Sequence, residues 1–405
     1  MLKWIKNLKF LWRRKMDNSK IKQDSDIDNN TNSVENFLDS EYCSYKKINS
    51  NKFLELNEKD YIKKLYSNSL CNYCECHEKA INSHTYPHAF LKKFSNNEEL
   101  QSICIDKIAI ERYAAEYTYF IDKSFPKQAG VAPLFCNSHD TTVFKRIENS
   151  SDDVDLDTYL YLFLYRAFIY DYTIEGMIKS PSSEREINQK GSYSKKINKE
   201  IEGKYLTENY ITKKILDISY NYDIYQDVKF KFDKIFTECD RPEKKDFEEY
   251  FKIYYYKLKS MPKFLGTGSM YIQYDESKHL PSIYGIVPDK KGKNYYYAIL
   301  VPNSEVKTME KLIELTQTEY EKYDKGQDNS FLTIVLFQIL DSSQNMIFNN
   351  ESIRLMDEKE IVFLDKMYHH LTLSRSLFCK LKMCDIRNYV YKQISKNKDL
   401  INKIF

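Results

Sequence analysis

The stretch that decides the fold opens with Cys71-Asn72-Tyr73-Cys74 and closes with Cys136-Asn137-Ser138-His139-Asp140. It holds 5 of the 9 cysteines and 4 of the 7 histidines of a 405-residue chain, so a shared metal ion explains the clustering better than chance does. Two ligands separated by two residues can be presented to one ion by a single tight turn, and two such pairs complete a tetrahedral zinc site. The spacing therefore predicts a structural Cys3His zinc site made of Cys71, Cys74, Cys136 and His139.

Other thiols and imidazoles in the same window compete for these roles. Cys76 and His77 follow Cys74 almost directly, so a Cys71-x4-Cys76 pair, or a ligand at His77, is an open alternative. Cys104 stands in an apolar stretch, where a buried free thiol is the expected role.

A second motif lies between the two ligand pairs. It reads Ser83-His84-Thr85-Tyr86-Pro87, and the last ligand of the zinc site is followed directly by Asp140. Together with the paired zinc ligands, this pattern resembles the HNH (ββα-metal) nucleases over about residues 66–150. The resemblance implies that His84 is the general base that activates water. It also implies that Asp140 holds a catalytic divalent ion such as Mg²⁺, while the zinc serves the fold alone.

Two residues of this motif have alternative roles. His88, four residues after His84, could contact a phosphate or a second metal, or it could be an ordinary surface histidine. Asp140 opens a helix predicted from about His139 to Glu148, and an acidic residue is favoured there because unpaired backbone N–H groups attract negative charge.

Amino-acid composition limits the binding partners and the cellular compartment that can be expected. The chain has 62 basic and 59 acidic residues, for a net charge of +3, so no global field draws it to DNA or to an anionic membrane. A nucleic-acid surface must therefore be a local patch. The cysteines outside the central window lack the regular spacing of a secreted disulfide framework, which favours a reducing, cytoplasmic location.

The first 52 residues differ from the remainder of the chain. Residues 1–16 carry six basic residues and no acid, with apolar residues at helical spacing, which predicts an amphipathic basic helix. Such a helix could pack on its own protein or on a partner, or contact a membrane surface or nucleic acid. It lacks the apolar core of a signal peptide, and no stretch of the sequence is long and apolar enough to be a transmembrane segment. Residues 17–52 are polar and predict a flexible linker.

The second half of the chain alternates between helical and strand-like patterns. A helix over 155–170 is apolar on nearly all sides, so Arg166 within it needs a partner, either an ion pair or a carbonyl, or a phosphate. Two further helices are predicted at 207–238 and 243–260, and another at 306–323. Four strands are predicted, at 264–274, 282–287, 295–301 and 331–340.

These observations predict an α+β protein in four parts. The parts are a basic N-terminal segment and linker (1–52), an HNH-like ββα zinc module (53–150), a helical segment (151–262) and an antiparallel-sheet α+β domain (263–405). The leading hypothesis is a metal-dependent endonuclease acting on nucleic acid, with DNA favoured over RNA. The overall layout also resembles bacterial proteins of antiphage or mobile-element systems, which implies that the last domain recognises a protein partner, a phage component or a nucleic-acid structure.

A hypothesis from a different class is a zinc-stabilised binding or sensor protein without catalysis. It is favoured by Ser83 in front of His84, where acidic, Asn or His residues are usual in the nucleases. The absence of an Asn shortly before Cys136 and the nearly neutral net charge favour it too.

Overall fold

A computed structural model of the protein describes nine stretches of the chain: residues 34–36, 38, 69–74, 76–102, 122–148, 154–179, 225–275, 278–374 and 383–405. The predicted N-terminal helix (1–16), most of the linker (17–52) and Cys104 lie outside these residues. Within them, no helix is long and apolar enough to cross a membrane.

Within the described residues, nine strands form two antiparallel sheets. A two-stranded sheet pairs β1 with β4, and a seven-stranded sheet has the order β3-β2-β9-β6-β7-β8-β5. Every neighbouring pair in both sheets is antiparallel. The strands are β1 (Ile81–His84), β2 (Leu100–Ser102), β3 (Asp122–Ser124), β4 (Val131–Phe135), β5 (Phe251–Leu258), β6 (Phe264–Asp275), β7 (Lys278–Pro288), β8 (Tyr295–Pro302) and β9 (Ser343–Asn349).

Helices connect and cover these sheets. The described helices are α1 (His88–Phe94), α2 (Asn137–Glu148), α3 (Leu156–Lys179), α4 (residues 225–238), α5 (Lys244–Glu248), α6 (Val306–Asp324), α7 (Ser330–Ser342), α8 (Asn350–Leu355), α9 (Glu358–Ser374), α10 (Met383–Lys396) and α11 (Lys398–Ile404).

Helices pack on both faces of the large sheet, as the alternation along its edge strand β5 shows. Successive side chains of a strand point to opposite faces, so residues 251 and 256 lie on different sides. Phe251 stacks on Phe232 of α4 with ring centroids 4.5 Å apart. Tyr256 instead contacts Tyr320 of α6 and Phe331 of α7. The sheet therefore separates a layer containing α4 from a layer containing α6 and α7.

The small sheet and its loops pack on the α3 side of the large sheet. Tyr86, which is fully buried, donates a hydrogen bond from its hydroxyl to the carbonyl oxygen of Ile286 in β7 at 2.9 Å. Its ring meets Phe163 of α3 edge-on at 5.1 Å. Phe90 of α1 contacts Tyr295 at the start of β8. The residues around the Ser-His motif are thus fixed against the large sheet by aromatic packing.

The prediction of a mixed helical and antiparallel-sheet protein is confirmed, and so are the first three predicted strands and the helix at 306–323. The strand predicted at 331–340 is wrong, because this apolar run is helix α7. A helix buried between a sheet and other helices is apolar on all sides, so its pattern matches that of a buried strand. The helix predicted at 243–260 is also wrong. It stops at Glu248, and the aromatic run that follows forms β5, where tyrosines favour a strand.

The large sheet also bears on the predicted division of the chain. Its strands β2 and β3 come from the part at 53–150, β5 from the part at 151–262, and the others from 263–405. One sheet therefore joins the last three predicted parts. The four-part division itself stays a prediction.

Candidate metal centre

Two knuckles of the chain meet at the end of the small sheet, and the first is the loop between residues 70 and 79. Leu70 and Lys79 form an isolated antiparallel bridge, and the Cys71 N–H donates to the carbonyl oxygen of Glu78 at 2.8 Å. Between them the chain reverses in a turn in which the Cys76 N–H donates to the carbonyl oxygen of Tyr73 at 3.2 Å. This turn brings Cys76 back towards Cys71.

The second knuckle joins β4 to α2. The Asp140 N–H donates to the carbonyl oxygen of Cys136 at 2.9 Å, which places Cys136 directly before the helix and His139 in its first turn. The Sγ atom of Cys136 lies 3.2 Å from Nδ1 of His139. A cysteine at a strand end and a histidine three residues later therefore point to the same place.

The two knuckles bring four donor atoms together. Sγ of Cys71 lies 3.4 Å from Nδ1 of His139, and Sγ of Cys76 lies 4.0 Å from Sγ of Cys136. All four donor atoms lie within 4.8 Å of one another. Tetrahedral zinc with bonds of about 2.3 Å to sulfur needs neighbouring sulfurs about 3.8 Å apart, so the spacing fits. We call Cys71, Cys76, Cys136 and His139 the metal group; it can bind an ion such as Zn²⁺.

The structure differs from the predicted ligand set at one position. Cys71, Cys136 and His139 are in the metal group as predicted, but its fourth member is Cys76 and not Cys74. The physical reason is the turn that begins at Tyr73: Cys74 lies inside it, while Cys76 stands where the chain has reversed. His77, the other alternative, is exposed and outside the group.

Burial shifts the pKa of three members of the metal group. It raises the pKa of the Cys71 thiol to about 12, raises the pKa of Cys136, and lowers that of His139. The protein environment by itself thus favours neutral thiols at Cys71 and Cys136 and a neutral imidazole at His139. Cysteine binds zinc as the thiolate, so a metal must displace these protons, and its binding energy then stabilises the fold.

Tyr73 orients the histidine of the group. Its ring is stacked on that of His139, with centroids 4.0 Å apart and an angle of 15° between the planes. Tyr73 in turn contacts Phe236 of α4, with ring centroids 5.4 Å apart. The imidazole is therefore held in one plane by packing as well as by the helix that carries it.

Asp140, the next residue in α2, belongs to a different cluster. Its Oδ1 accepts a hydrogen bond from the buried Arg166 of α3 at 3.0 Å, and the same guanidinium donates to Oε1 of Glu148 at 2.7 Å. The guanidinium also lies over the ring of Phe144, 4.7 Å from its centroid. We call Asp140, Phe144, Glu148 and Arg166 the Arg166 cluster. The prediction that Arg166 has a partner is confirmed, and of the alternatives left open by the sequence the structure shows ion pairs.

His84 stands at the end of β1, which pairs with β4. Its Nε2 lies 3.2 Å from the carbonyl oxygen of Pro126. A carbonyl can only accept, so this contact assigns the proton to Nε2 and leaves the lone pair on Nδ1. Burial, followed by electrostatic interactions with His88 and Arg166, lowers the pKa of His84 to about 4, against the opposing effects of the Pro126 hydrogen bond and of Asp140. The ring is therefore neutral near pH 7.

His88 contacts His84 directly, with stacked rings whose centroids are 5.0 Å apart. Among the described residues, the metal group is the only set of three or more potential ligands close enough to hold an ion. His84, His88 and Asp140 do not form a second preassembled metal site.

Sequence reasoning missed two features of this region. The acceptor for His84, Pro126, lies in a segment without any motif. The contact between Arg166 and two carboxylates of α2 has a faint signal, since Asp140, Phe144 and Glu148 are spaced four apart and so share one helix face. Comparison with known proteins adds nothing to this description, because no protein-family model, curated protein or solved structure matches the chain.

Proposed function

We propose that the protein is a metal-dependent endonuclease of the HNH kind, in which His84 activates water and Asp140 holds a divalent ion. One observation carries the proposal. Strands β1 and β4 and helix α2 are arranged so that His84 ends the first strand, while Asp140 directly follows the last residue of the metal group. The same small ββα unit thus carries an imidazole, a carboxylate and a group of side chains that can bind a structural metal.

The state of His84 suits a general base. A base needs a free lone pair, and the contact with Pro126 leaves Nδ1 in that state and fixes the ring. The low pKa keeps the ring unprotonated at neutral pH. A phosphodiester bound nearby would raise this pKa, because an anion favours the charged imidazolium. Proton transfer from water to Nδ1 would then become more favourable once substrate is bound.

Asp140 suits a cation ligand of the hard type. Its side chain is 21% exposed, and Arg166 engages Oδ1. Oδ2 has no hydrogen-bond partner among the described residues, which leaves one carboxylate oxygen for an ion. A Mg²⁺ or Mn²⁺ ion held there would stabilise negative charge on the phosphate and on the leaving oxygen. The metal group has four protein ligands and leaves no position for water, so its contribution is to the fold.

A second candidate function is a zinc-stabilised binding or sensor protein without catalysis. The ion pair with Arg166 favours it, since a carboxylate already bound to a guanidinium attracts cations less strongly. The substrate in the first case is nucleic acid, with DNA favoured. In either case the large sheet and its helices would recognise a partner, such as a phage component in a bacterial defence system.

The deciding experiment is a cleavage assay of the zinc-loaded chain with Mg²⁺ or Mn²⁺ on duplex DNA, single-stranded DNA and RNA of one sequence. General-base catalysis contributes roughly 10²- to 10⁴-fold, so the His84→Ala variant should lose at least about a hundredfold in rate and keep its zinc. The matched control is His77→Ala, an exposed histidine of the same unit outside the metal group. Wild-type protein that cleaves none of these substrates would favour the binding function.

A further inference from the structure

We propose that Arg166 is the positioning residue of the cation site, holding Asp140 so that one carboxylate oxygen stays fixed and the other stays available. This inference rests on the proposed function in one respect, namely that Asp140 binds a divalent ion. It adds a residue from α3, outside the ββα unit, to the machinery of the site.

The first argument is the geometry of the contact. Asp140, Phe144 and Glu148 occur at intervals of four residues in α2 and therefore lie along one face of the helix. Arg166 lies over the central ring and donates from two nitrogens, one to each carboxylate. The planar fork of a guanidinium can bridge two acceptors in this way, whereas the single ammonium of a lysine cannot hold the same geometry.

The second argument is the burial of the charge. Arg166 is 1% exposed and lies in a helix whose neighbouring residues are apolar or aromatic. Burying a guanidinium costs several kcal/mol unless it is well paired, so a purely structural position here would favour an apolar residue. Among the described residues its only hydrogen-bond partners are Asp140 and Glu148. The contact that compensates its burial is therefore the one that orients Asp140.

The third argument is the charge of the cluster. Two carboxylates and one guanidinium sum to a net charge of −1, so Glu148 offsets the charge that Arg166 would otherwise remove from Asp140. The cluster therefore keeps a cation-attracting field while Asp140 is held in place. The loss of Arg166 has opposite expected effects on cation affinity in the two cases. If Arg166 positions Asp140, its removal weakens cation binding; if only its positive charge matters, its removal strengthens cation binding.

The experiment measures Mn²⁺ binding to the zinc-loaded full chain by electron paramagnetic resonance of the free ion. Mn²⁺ prefers oxygen ligands and competes poorly with zinc for thiolates. Removing a group that orients a metal ligand typically costs 10- to 100-fold in affinity. Arg166→Lys keeps the charge and loses the fork, and Arg166→Met loses both while preserving an apolar shape. Both should weaken Mn²⁺ binding at least tenfold with unchanged zinc content.

The matched control is Arg387→Lys, which alters another buried Arg–Asp pair, with Asp341, away from α2. It should leave Mn²⁺ binding unchanged. Unaltered binding in Arg166→Lys, tighter binding in Arg166→Met, or wild-type binding that survives Asp140→Asn would each overturn the inference. Mn²⁺ binding that follows the expected pattern without any cleavage would support the positioning role and reject the nuclease proposal. If Arg166→Lys cleaves with the same Mn²⁺ dependence as the wild type, the nuclease proposal is supported and the positioning role of Arg166 is rejected.

Discussion

His139 and Asp140 are neighbours in α2, yet they belong to clusters with opposite requirements. The metal group gathers three thiols and an imidazole, which have no charges to hold them together until an ion binds. The Arg166 cluster contains its own opposite charges and packs a guanidinium on an aromatic ring. One helical turn therefore joins a group that needs an added ion to hold it together to a cluster that is held together by its own ion pairs.

The comparison explains why the two clusters can serve different purposes. A closed site with four protein ligands contributes binding energy to the fold of a small unit, and values of about 10–16 kcal/mol are typical of small zinc peptides. A partly exposed carboxylate held by a single oxygen keeps coordination capacity for another ligand. A metal bound at the first cluster would therefore add stability, whereas the proposed chemistry would use Asp140 of the second.

The largest expected effect tests the membership of the metal group. We expect Cys76→Ser to lose the bound zinc, because a hydroxyl is a poor replacement for a thiolate ligand. Cys74→Ser should keep one zinc per chain, since Cys74 lies inside the turn and outside the group. Metal analysis of the two purified variants gives the answer. Loss of zinc in Cys74→Ser with retention in Cys76→Ser would restore the Cys-x2-Cys pair that the spacing favours.

The next effect tests whether the Arg166 cluster depends on its apolar centre. Phe144 is fully buried and contacts Phe135 and Tyr165 as well as the guanidinium. We expect Phe144→Ala to lower the free energy of unfolding by about 3–5 kcal/mol, the usual cost of a phenylalanine-sized deletion in a core. Denaturant unfolding of the zinc-loaded protein measures it.

The control for this experiment is Phe144→Leu, which retains most of the buried volume and should lose clearly less stability than the alanine variant. Zinc content under native conditions should be the same in both variants. A loss below about 1 kcal/mol for Phe144→Ala would mean that the ion pairs alone hold α2 against α3.

Sequence reasoning reached the metal group more closely than the Arg166 cluster, and the reason is physical. A zinc site of this kind takes its thiolate and imidazole ligands from Cys and His, which are rare in this chain, so their clustering is visible without a structure. The choice between Cys74 and Cys76 depends on backbone hydrogen bonds in one turn, which spacing alone does not encode. Arg166 could be recognised as needing a partner, but its partners lie on another helix among many acidic residues.

The same distinction holds for the fold. Strands β6, β7 and β8 have alternating sequence patterns or lie between clear turn signals, so the sequence alone predicts them. Helix α7 is buried on every side, and burial removes the periodicity that separates helix from strand. Errors therefore fall where tertiary contacts, and not local preference, decide the structure.

The smallest expected effect concerns His84, whose pKa depends in part on the charges of Arg166 and Asp140 in the Arg166 cluster. The pKa of about 4 lies below the ordinary value of 6.5, chiefly because of burial, with smaller effects from His88 and Arg166. The folded protein thus keeps this ring neutral where an unfolded chain would protonate it. The contribution of the neutral His84 ring to stability is complete above pH 6.5 and is lost as pH falls towards 4.

Titration of the histidine side chains by NMR should place the midpoint of the His84 signal near pH 4. The His84 signal is the one that is absent from the spectrum of the His84→Ala variant. A midpoint near 6.5 for His84 would mean that solvent reaches the ring and that neither burial nor Arg166 acts on it.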